Sequence, residues 1–292
     1  MATLRDIKLR IKGIKSTQQI TKAMKMVAAA KLRRATESVL NARPYAKKIS
    51  VLLSHLVDEV EKQANPLFAD REVMNVAVVV VTADRGLCGA FNTNIIKEAT
   101  RYLEEEVKQK GLNHKLYCLG KKGSDYFSRR NYNIASTYPG IFSQINYTTA
   151  QKLVDEIIPK YLDGSIDKVI IIFNEFKSII QQKIVVEQFL PIASGAEIEN
   201  DRQESANYIY EPDQKAIFNY LIPKHLKGQM WRVLLESTAS EFAARMTAMD
   251  NATTNAKELI RTLSLTYNSK RQAAITTEIL EIVSGANALK EN

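Results

Sequence analysis

The chain begins with apolar residues that recur in helical steps. Leu4, Ile7, Ile11 and Ile14, and then Ile20, Met24 and Val27, stand three or four positions apart within each run. That spacing places side chains on one stripe of an α-helix. Neither Gly nor Pro interrupts residues 14–43. After Pro44 the pattern resumes with Ile49, Leu52, Leu53, Leu56, Val57 and Val60 and ends near Pro66. Proline removes one helical hydrogen bond and crowds the preceding turn, so Pro44 predicts a kink or a bend. The segment reads as one long helix or as two pieces of one.

The other end carries a longer pattern. Residues 229–284, 56 in all, contain no Gly or Pro and lie between Gly228 and Gly285. Unbroken, this is a rod of roughly 84 Å at about 1.5 Å per residue. Its stripe includes Leu235, Phe242, Met246, Met249, Ala256, Ile260, Leu263, Tyr267, Ala274, Ile279, Ile282 and Val283. A helix several times the usual length needs a partner of similar length to bury that stripe. The N-terminal helix is the candidate, and ends that meet across a large insert predict an antiparallel pair with a left-handed twist.

Between them the period changes. Residues 76–82 read as a short, fully buried strand, followed by a Gly-containing turn at 84–89 and a helix over about 92–110. Strands are predicted at 115–119, 134–138, 168–173 and 184–190, with a helix at 148–162. Alternating strands and helices imply βαβ units and a mainly parallel sheet. The expected fold class is therefore α/β: a long antiparallel coiled coil of the terminal helices plus a Rossmann-like α/β domain. The expected boundaries are 1–66 and 213–292 for the paired helices and 70–212 for the globular domain.

Charge sharpens this picture. The net charge is +9 over 292 residues. Residues 1–50 hold thirteen Lys and Arg against Asp6 and Glu37, a net +11, while the other 242 residues set 28 cations against 30 acids, a net −2. One element carries the whole excess, and such an element seeks an acidic surface on nucleic acid, membrane or protein. The longest apolar run, 76–81, is far below the roughly 20 residues of a membrane span, and no apolar signal region precedes Arg5. A basic, acid-poor start invites a transit-peptide reading, but its cations are mostly Lys, its serines few and its apolar residues patterned for packing. The N-terminus reads as mature protein in a bacterial cytoplasm, with Cys88 and Cys118 as reduced thiols.

Catalytic chemistry is not legible. Asp84-Arg85-Gly86-Leu87-Cys88-Gly89 follows a strand and precedes a helix, where α/β proteins often hold phosphate. It is not G-x-G-x-x-G, and no G-x-x-x-x-G-K-[ST] occurs, so Asp84, Arg85, Gly86, Cys88 and Gly89 read as a structural turn. Gly120-Lys121-Lys122-Gly123 reads the same way. His55, His114 and His225 are scattered, with no metal-ligand spacing. Met24, Met26, Met246 and Met249 suit a seam shared by both ends. Arg271, Gln272, Thr276 and Glu278, late in the long helix, could offer forked donors and acceptors to a partner, although periodicity alone favours plain exposed surface. A nucleic-acid-binding reading of the basic helix lacks aromatics for stacking, since Tyr45 stands alone there. A nucleotide-binding α/β enzyme lacks its phosphate motif.

Three blocks then carry a resemblance. The first joins Leu4-Arg5-Asp6-Ile7 to Thr17-Gln18-Gln19-Ile20-Thr21-Lys22-Ala23-Met24-Lys25-Met26-Val27-Ala28-Ala29-Ala30-Lys31. The second extends the turn motif through Ala90-Phe91-Asn92. The third runs from Ala244-Arg245-Met246 through Met249-Asp250-Asn251-Ala252-Thr253 to Ile275-Thr276-Thr277-Glu278-Ile279-Leu280-Glu281-Ile282-Val283-Ser284-Gly285-Ala286. Over essentially its full length the chain resembles the γ subunit of F-type ATP synthases, bacterial type. The resemblance implies a rotating central-stalk subunit that carries torque from an ion-driven c-ring to catalytic β subunits and has no active site or cofactor of its own.

The implied partners are the α3β3 hexamer, the ε subunit and the c-ring. The implied location is the cytoplasmic face of the plasma membrane, reached only through the complex. The implied α/β contacts are Met24, Lys25, Arg245, Arg271, Gln272, Thr276, Glu278 and Glu281. A bearing tip is implied at Ile282, Val283, Ala286 and Leu289, and a foot near ε and the ring at Tyr208, Tyr210 and Glu211. Ala83 and Ser269 depart from the residues relatives often carry, Ser and Lys. No inserted segment with paired cysteines is present, so no thiol switch is expected.

Overall fold

The computed structural model describes residues 3–56, 65–69, 71–143, 145–179, 181–192, 211 and 213–290. Helix α1 spans Leu4–Leu56. Its start is set by a reciprocal cap: the Asp6 amide donates to Thr3 Oγ1 at 3.2 Å and the Thr3 amide donates to the Asp6 carboxylate at 3.0 Å. Two otherwise orphaned donors are thereby satisfied, and the bonds from Thr3 hold the Asp6 carboxyl below its usual range. The helix continues through Pro44 without a break.

Strand β1 (Asn75–Val81) leads to α2 (Phe91–Tyr102), which continues as a wider-wound π-helical turn over Leu103–Lys108. Then come β2 (Asn113–Leu119), α3 (Lys121–Ser128), β3 (Ile134–Tyr138), α4 (Tyr147–Leu162), β4 (Lys168–Phe176) and β5 (Gln182–Leu190). Helix α5 occupies Gln214–Lys290. The sheet order is β3-β2-β1-β4-β5, with β1 to β4 all parallel and β5 antiparallel to β4. The sheet is thus mainly parallel, as the alternation of elements predicts. The antiparallel edge follows from a short connection: the few residues between β4 and β5 can make a hairpin, whereas a parallel return needs a crossover.

One expectation changes: the Gly-rich segment at 120–123 opens helix α3 rather than a bare turn. Helix α5 starts at Gln214, beside the expected boundary at 213, and passes through Pro223 and Gly228 without a break. Tertiary packing decides this. Phe218, Ile222, Leu226, Met230 and Val233 recur every three or four residues and are buried in one core. Each buried side chain of this size contributes about 1.5–3 kcal/mol, which together outweighs about 3 kcal/mol for the proline and about 1 for the glycine.

Strand β1 alternates between two cores. Ala77, Val79 and Val81 join Tyr117, Leu119, the α4 residues Leu153 and Ile157, and Phe218 to Leu234 of α5. Val76, Val78 and Val80 join Leu116, Cys118, the α2 residues Phe91 and Ile95, and Phe127 of α3.

By compactness the chain forms two units: Met1–Val27 with Met246–Asn292, and Ala28–Arg245. In the first unit the helices run antiparallel, because Lys25 meets Asp250 at 2.6 Å and Thr253 donates to Thr21 at 2.8 Å. On α1 the shielded positions include Leu4, Ile7, Ile11, Ile14, Gln18, Thr21 and Lys25, a heptad alternation of three and four, with Met24 half-buried beside them. On α5 they include Met249, Thr253, Ala256, Ile260, Leu263, Tyr267 and Lys270, with the same alternation. This corrects the phase of the N-terminal stripe: the seam passes through Gln18, Thr21 and Lys25, while Ile20 and Val27 point outward at 59% and 58% exposure. In the second unit the heptad positions Ala28, Leu32, Ala35 and Val39 are buried, and the Lys31 ammonium lies 5.4 Å from the Phe242 ring.

Candidate partner-docking surface

The antiparallel register decides where α5 runs out of a partner. Carried along the two heptads from Lys25–Asp250 and Thr21–Thr253, it sets Ile7 level with Tyr267 and Leu4 with Lys270. Beyond Lys270, α1 offers nothing further to pack on. Every residue of 271–286 is accordingly exposed, although the segment is rich in apolar side chains. Ile275, Ile279, Leu280, Ile282 and Val283 are between 47% and 71% exposed. Sixteen residues of helix with that content are not stable alone in water, because nucleation is costly and the apolar face is unburied. A soluble chain normally exposes such residues singly; a contiguous helical run marks a docking surface.

Arg271, Gln272, Thr276, Glu278 and Glu281 all lie on this run and are exposed, as are Ile282, Val283 and Ala286. Thr276 Oγ1 donates back to the Gln272 carbonyl at 2.9 Å. The Leu289 side chain, Tyr208 and Tyr210 lie outside the described residues, and Glu211 is exposed. On α1 a second outward set appears in Leu9, Ile20, Met26 and Val27, each 58–60% exposed. In this unit α1 therefore carries apolar residues both in its seam and outside it.

Met24 and Lys25 are half-buried. The Lys25 ammonium is held by Asp250, so its charge is engaged across the helix pair. In the second unit Arg245 is turned inward. Its Nη1 donates to the Gly86 carbonyl at 2.8 Å and its Nε donates to Glu241 at 2.9 Å. Glu241 is the partner that residue-by-residue reading missed, though its position four residues before Arg245 on one helix is a recognisable signal. Glu241 is buried, and that burial pushes its carboxyl upward against the pull of Arg245.

The turn that Arg245 grips is closed by Asp84. One carboxylate oxygen accepts the amides of Lys121 at 3.1 Å and Gly140 at 2.7 Å, and the other accepts Phe142 at 3.0 Å. In a phosphate-binding α/β protein such amides at the carboxyl ends of the strands face the ligand. Here a resident carboxylate takes them. The Asn92 side chain accepts from the Ala83 amide at 2.8 Å and donates to Cys88 Sγ at 3.2 Å. Arg85 and Gly89 are exposed. Gly120 is required by a close approach: a Cβ there would sit 1.8 Å from the Thr82 carbonyl oxygen, with φ at +89°. Cys88 and Cys118 are free and buried, and burial raises both thiols, Cys118 to about 12. Among the described residues no cluster of His, Cys, Asp and Glu could hold a metal ion, and no helix is long and apolar enough to cross a membrane.

The family model described as ATP synthase matches residues 3–289. The ATP synthase gamma chain of Chloroherpeton thalassium is 54% identical, with 100% of each chain covered. That of Chlorobaculum tepidum is 51% identical, again over 100% of each. This chain belongs to the ATP synthase gamma chain family. Solved structures agree with the fold. A chain of the Tetrahymena thermophila mitochondrial ATP synthase central stalk and c-ring is 29% identical at a TM-score of 0.61, covering 80% of this chain and 99% of that one. A Euglena gracilis mitochondrial ATP synthase chain, 20% identical, shares the fold at a TM-score of 0.65 over 98% and 94%. The gamma chain assignment gives the exposed end of α5 a context: the related proteins are named as chains of a complex, and this run is uncovered among the described residues.

Proposed function

We propose that this gamma chain is the rotating central-stalk subunit of an ATP synthase. Its paired terminal helices stand inside an α3β3 hexamer, and its other end meets the ε subunit and the c-ring. It carries torque from the ion-driven ring to the catalytic β subunits, and the nucleotide chemistry stays on β. It reaches the cytoplasmic face of the plasma membrane only through that complex.

The observation that carries this reading is the uncovered helix at 271–286. A surrounding collar of subunits is the kind of partner that covers all sides of one helix, and this run is exposed on all sides. Ile282, Val283, Ala286 and Leu289 then form an apolar bearing, while Arg271, Gln272, Thr276, Glu278 and Glu281 supply polar contacts that pass from subunit to subunit. Met24 and Lys25 supply a further contact on α1, level with Asp250 rather than with this run. Arg245 serves the set by fixing the turn at Gly86 to α5. Tyr208, Tyr210 and Glu211 form the foot. The +11 charge of residues 1–50 suits an acidic lever surface on β, because attraction spread along a face can follow a turning body without one locked geometry.

The test is reconstitution in vesicles with the α, β and ε subunits of the same genome together with the c-ring and its membrane partners. An active, ion-pumping complex is expected, and Ile279→Asp with Ile282→Asp should reduce coupled turnover at least about tenfold, the scale of removing one buried side-chain contact. The isolated variant should keep its helical content. A chain that joins no such complex, or a complex whose coupling ignores both substitutions, would refute the reading.

A further inference from the structure

Within the second unit a cavity of about 550 Å³ opens between α1, α4 and α5. Small-molecule sites typically span about 300–1,000 Å³. Its lining combines aromatic rings from three helices, Tyr45, Tyr147 and Trp231, with the cations Lys224, Lys227 and Arg232, and among the described residues includes no acidic one. Tyr147 and Trp231 meet edge to face at 5.9 Å, which holds the indole plane. Arg232 is committed to Glu187 at 2.6 Å and forms a wall. Lys227 reaches Asp155 at 2.7 Å, an acid 58% exposed at the rim. The Lys224 ammonium lies 4.1 Å from the Tyr220 ring, and no ion pair with a carboxylate engages it among the described residues.

Gly228 gives an independent sign that the space is kept. It is buried and lies within α5, where glycine costs about 1 kcal/mol relative to alanine. Close packing does not require it, since an added Cβ would meet nothing within 4 Å. Gly228 is itself part of the cavity lining, so any side chain there would take up open volume.

We propose that this cavity binds a small planar aromatic anion. Its ring is received by Tyr45 and Trp231, and its phosphate or carboxylate by Lys224 and Lys227. Aromatic rings in a cavity wall hold a flat ligand by stacking. The Lys224 ammonium, on which no carboxylate sits among the described residues, and the Lys227 ammonium, shared with Asp155, give the recess positive groups that an anion can meet. The site is separate from the helix end that carries the proposed rotor function, and either can fail without the other.

Trp231 is the single tryptophan of the chain, so its fluorescence reports on the cavity alone. The full chain would be titrated with adenosine 5′-monophosphate, 4-hydroxybenzoate, adenosine and inorganic phosphate. A saturable change is expected with one or both of the ring-bearing acids, and a far weaker response with adenosine or phosphate alone. Response to the monophosphate only would assign phosphate chemistry, and response to the benzoate only would assign a carboxylate. Lys224→Gln should weaken binding about tenfold, as loss of one charge-assisted contact does. Gly228→Leu should abolish binding with the helical content retained. If that variant does not fold, Tyr45→Ala at an exposed position should weaken binding instead. No saturable response to either acid, adenosine binding as tightly as its monophosphate, or wild-type binding by these variants would overturn the proposal.

Discussion

Single residues hold the α/β core in ways that can be measured one at a time. Asp84 takes three backbone amides from two loops, and Asp84→Ala would strand them. A hydrogen bond to a charged group is worth about 1.5–3 kcal/mol, and Asp84 is partly exposed, so water recovers part of the loss. We expect Asp84→Ala to lower the unfolding free energy by about 2–4 kcal/mol in denaturant melts, and Asp84→Asn to lower it less. An unchanged midpoint would show that the loops are held by other means. His225 gives a pH signature. Burial first, and the Arg232 charge second, depress its pKa to about 4. Between about 6.5 and 4 the unfolded chain therefore binds a proton that the folded chain refuses. Its contribution is fully present above about 6.5 and is lost as pH falls toward 4. The full shift corresponds to about 3 kcal/mol, and His225→Phe should flatten this limb of the stability curve. Sequence alone marked 84–89 as a turn, because Gly and Asp there have local meaning. It did not reveal what Asp84 binds, since Lys121, Gly140 and Phe142 are far away along the chain.

At the scale of elements, the paired helices and their free end behave differently. The heptads of the first unit are shielded up to Lys270, and residues 271–286 are exposed throughout. In the isolated chain, amide hydrogens of 271–286 should exchange orders of magnitude faster than those of 249–267, whose opening requires separation of the helix pair. Assembly with α and β should bring the two segments to comparable protection. Equal protection in the isolated chain would mean that the end is covered by something within the chain itself. Both long helices were legible because a stripe of period near 3.6 is a local property of sequence. The phase through Ile20 and Val27 was not. An apolar residue looks the same in a list whether its own chain or another molecule covers it, and only the register with α5 separates the two. The packing that carries α5 through Pro223 and Gly228 was hidden for a related reason. Helix propensity is local, whereas the burial of Phe218 to Val233 that overrides it is not.

The whole molecule is organised by charge as much as by packing. Residues 1–50 carry +11 and the rest −2, so association with an acidic partner is expected to be steered electrostatically. The rate at which the chain joins α3β3 should fall by about tenfold or more between low salt and about 0.5 M, with a smaller effect on dissociation. A salt-independent rate would remove charge from the account of assembly. What the sequence by itself determined follows from short-range physics: two long amphipathic helices, the alternation of strands and helices, the uneven charge, and turns without phosphate motifs. The three blocks of resemblance belong here too, because they are runs of neighbouring residues. Tertiary structure decided what depends on residues distant in sequence. It set the antiparallel register that leaves 271–286 uncovered, the antiparallel β5 edge, the Asp84 and Arg245 contacts, and the cavity beside Trp231. Each of these is a pairing across many residues of chain, selected by burial and hydrogen bonding summed over the fold, and no local pattern encodes such a sum.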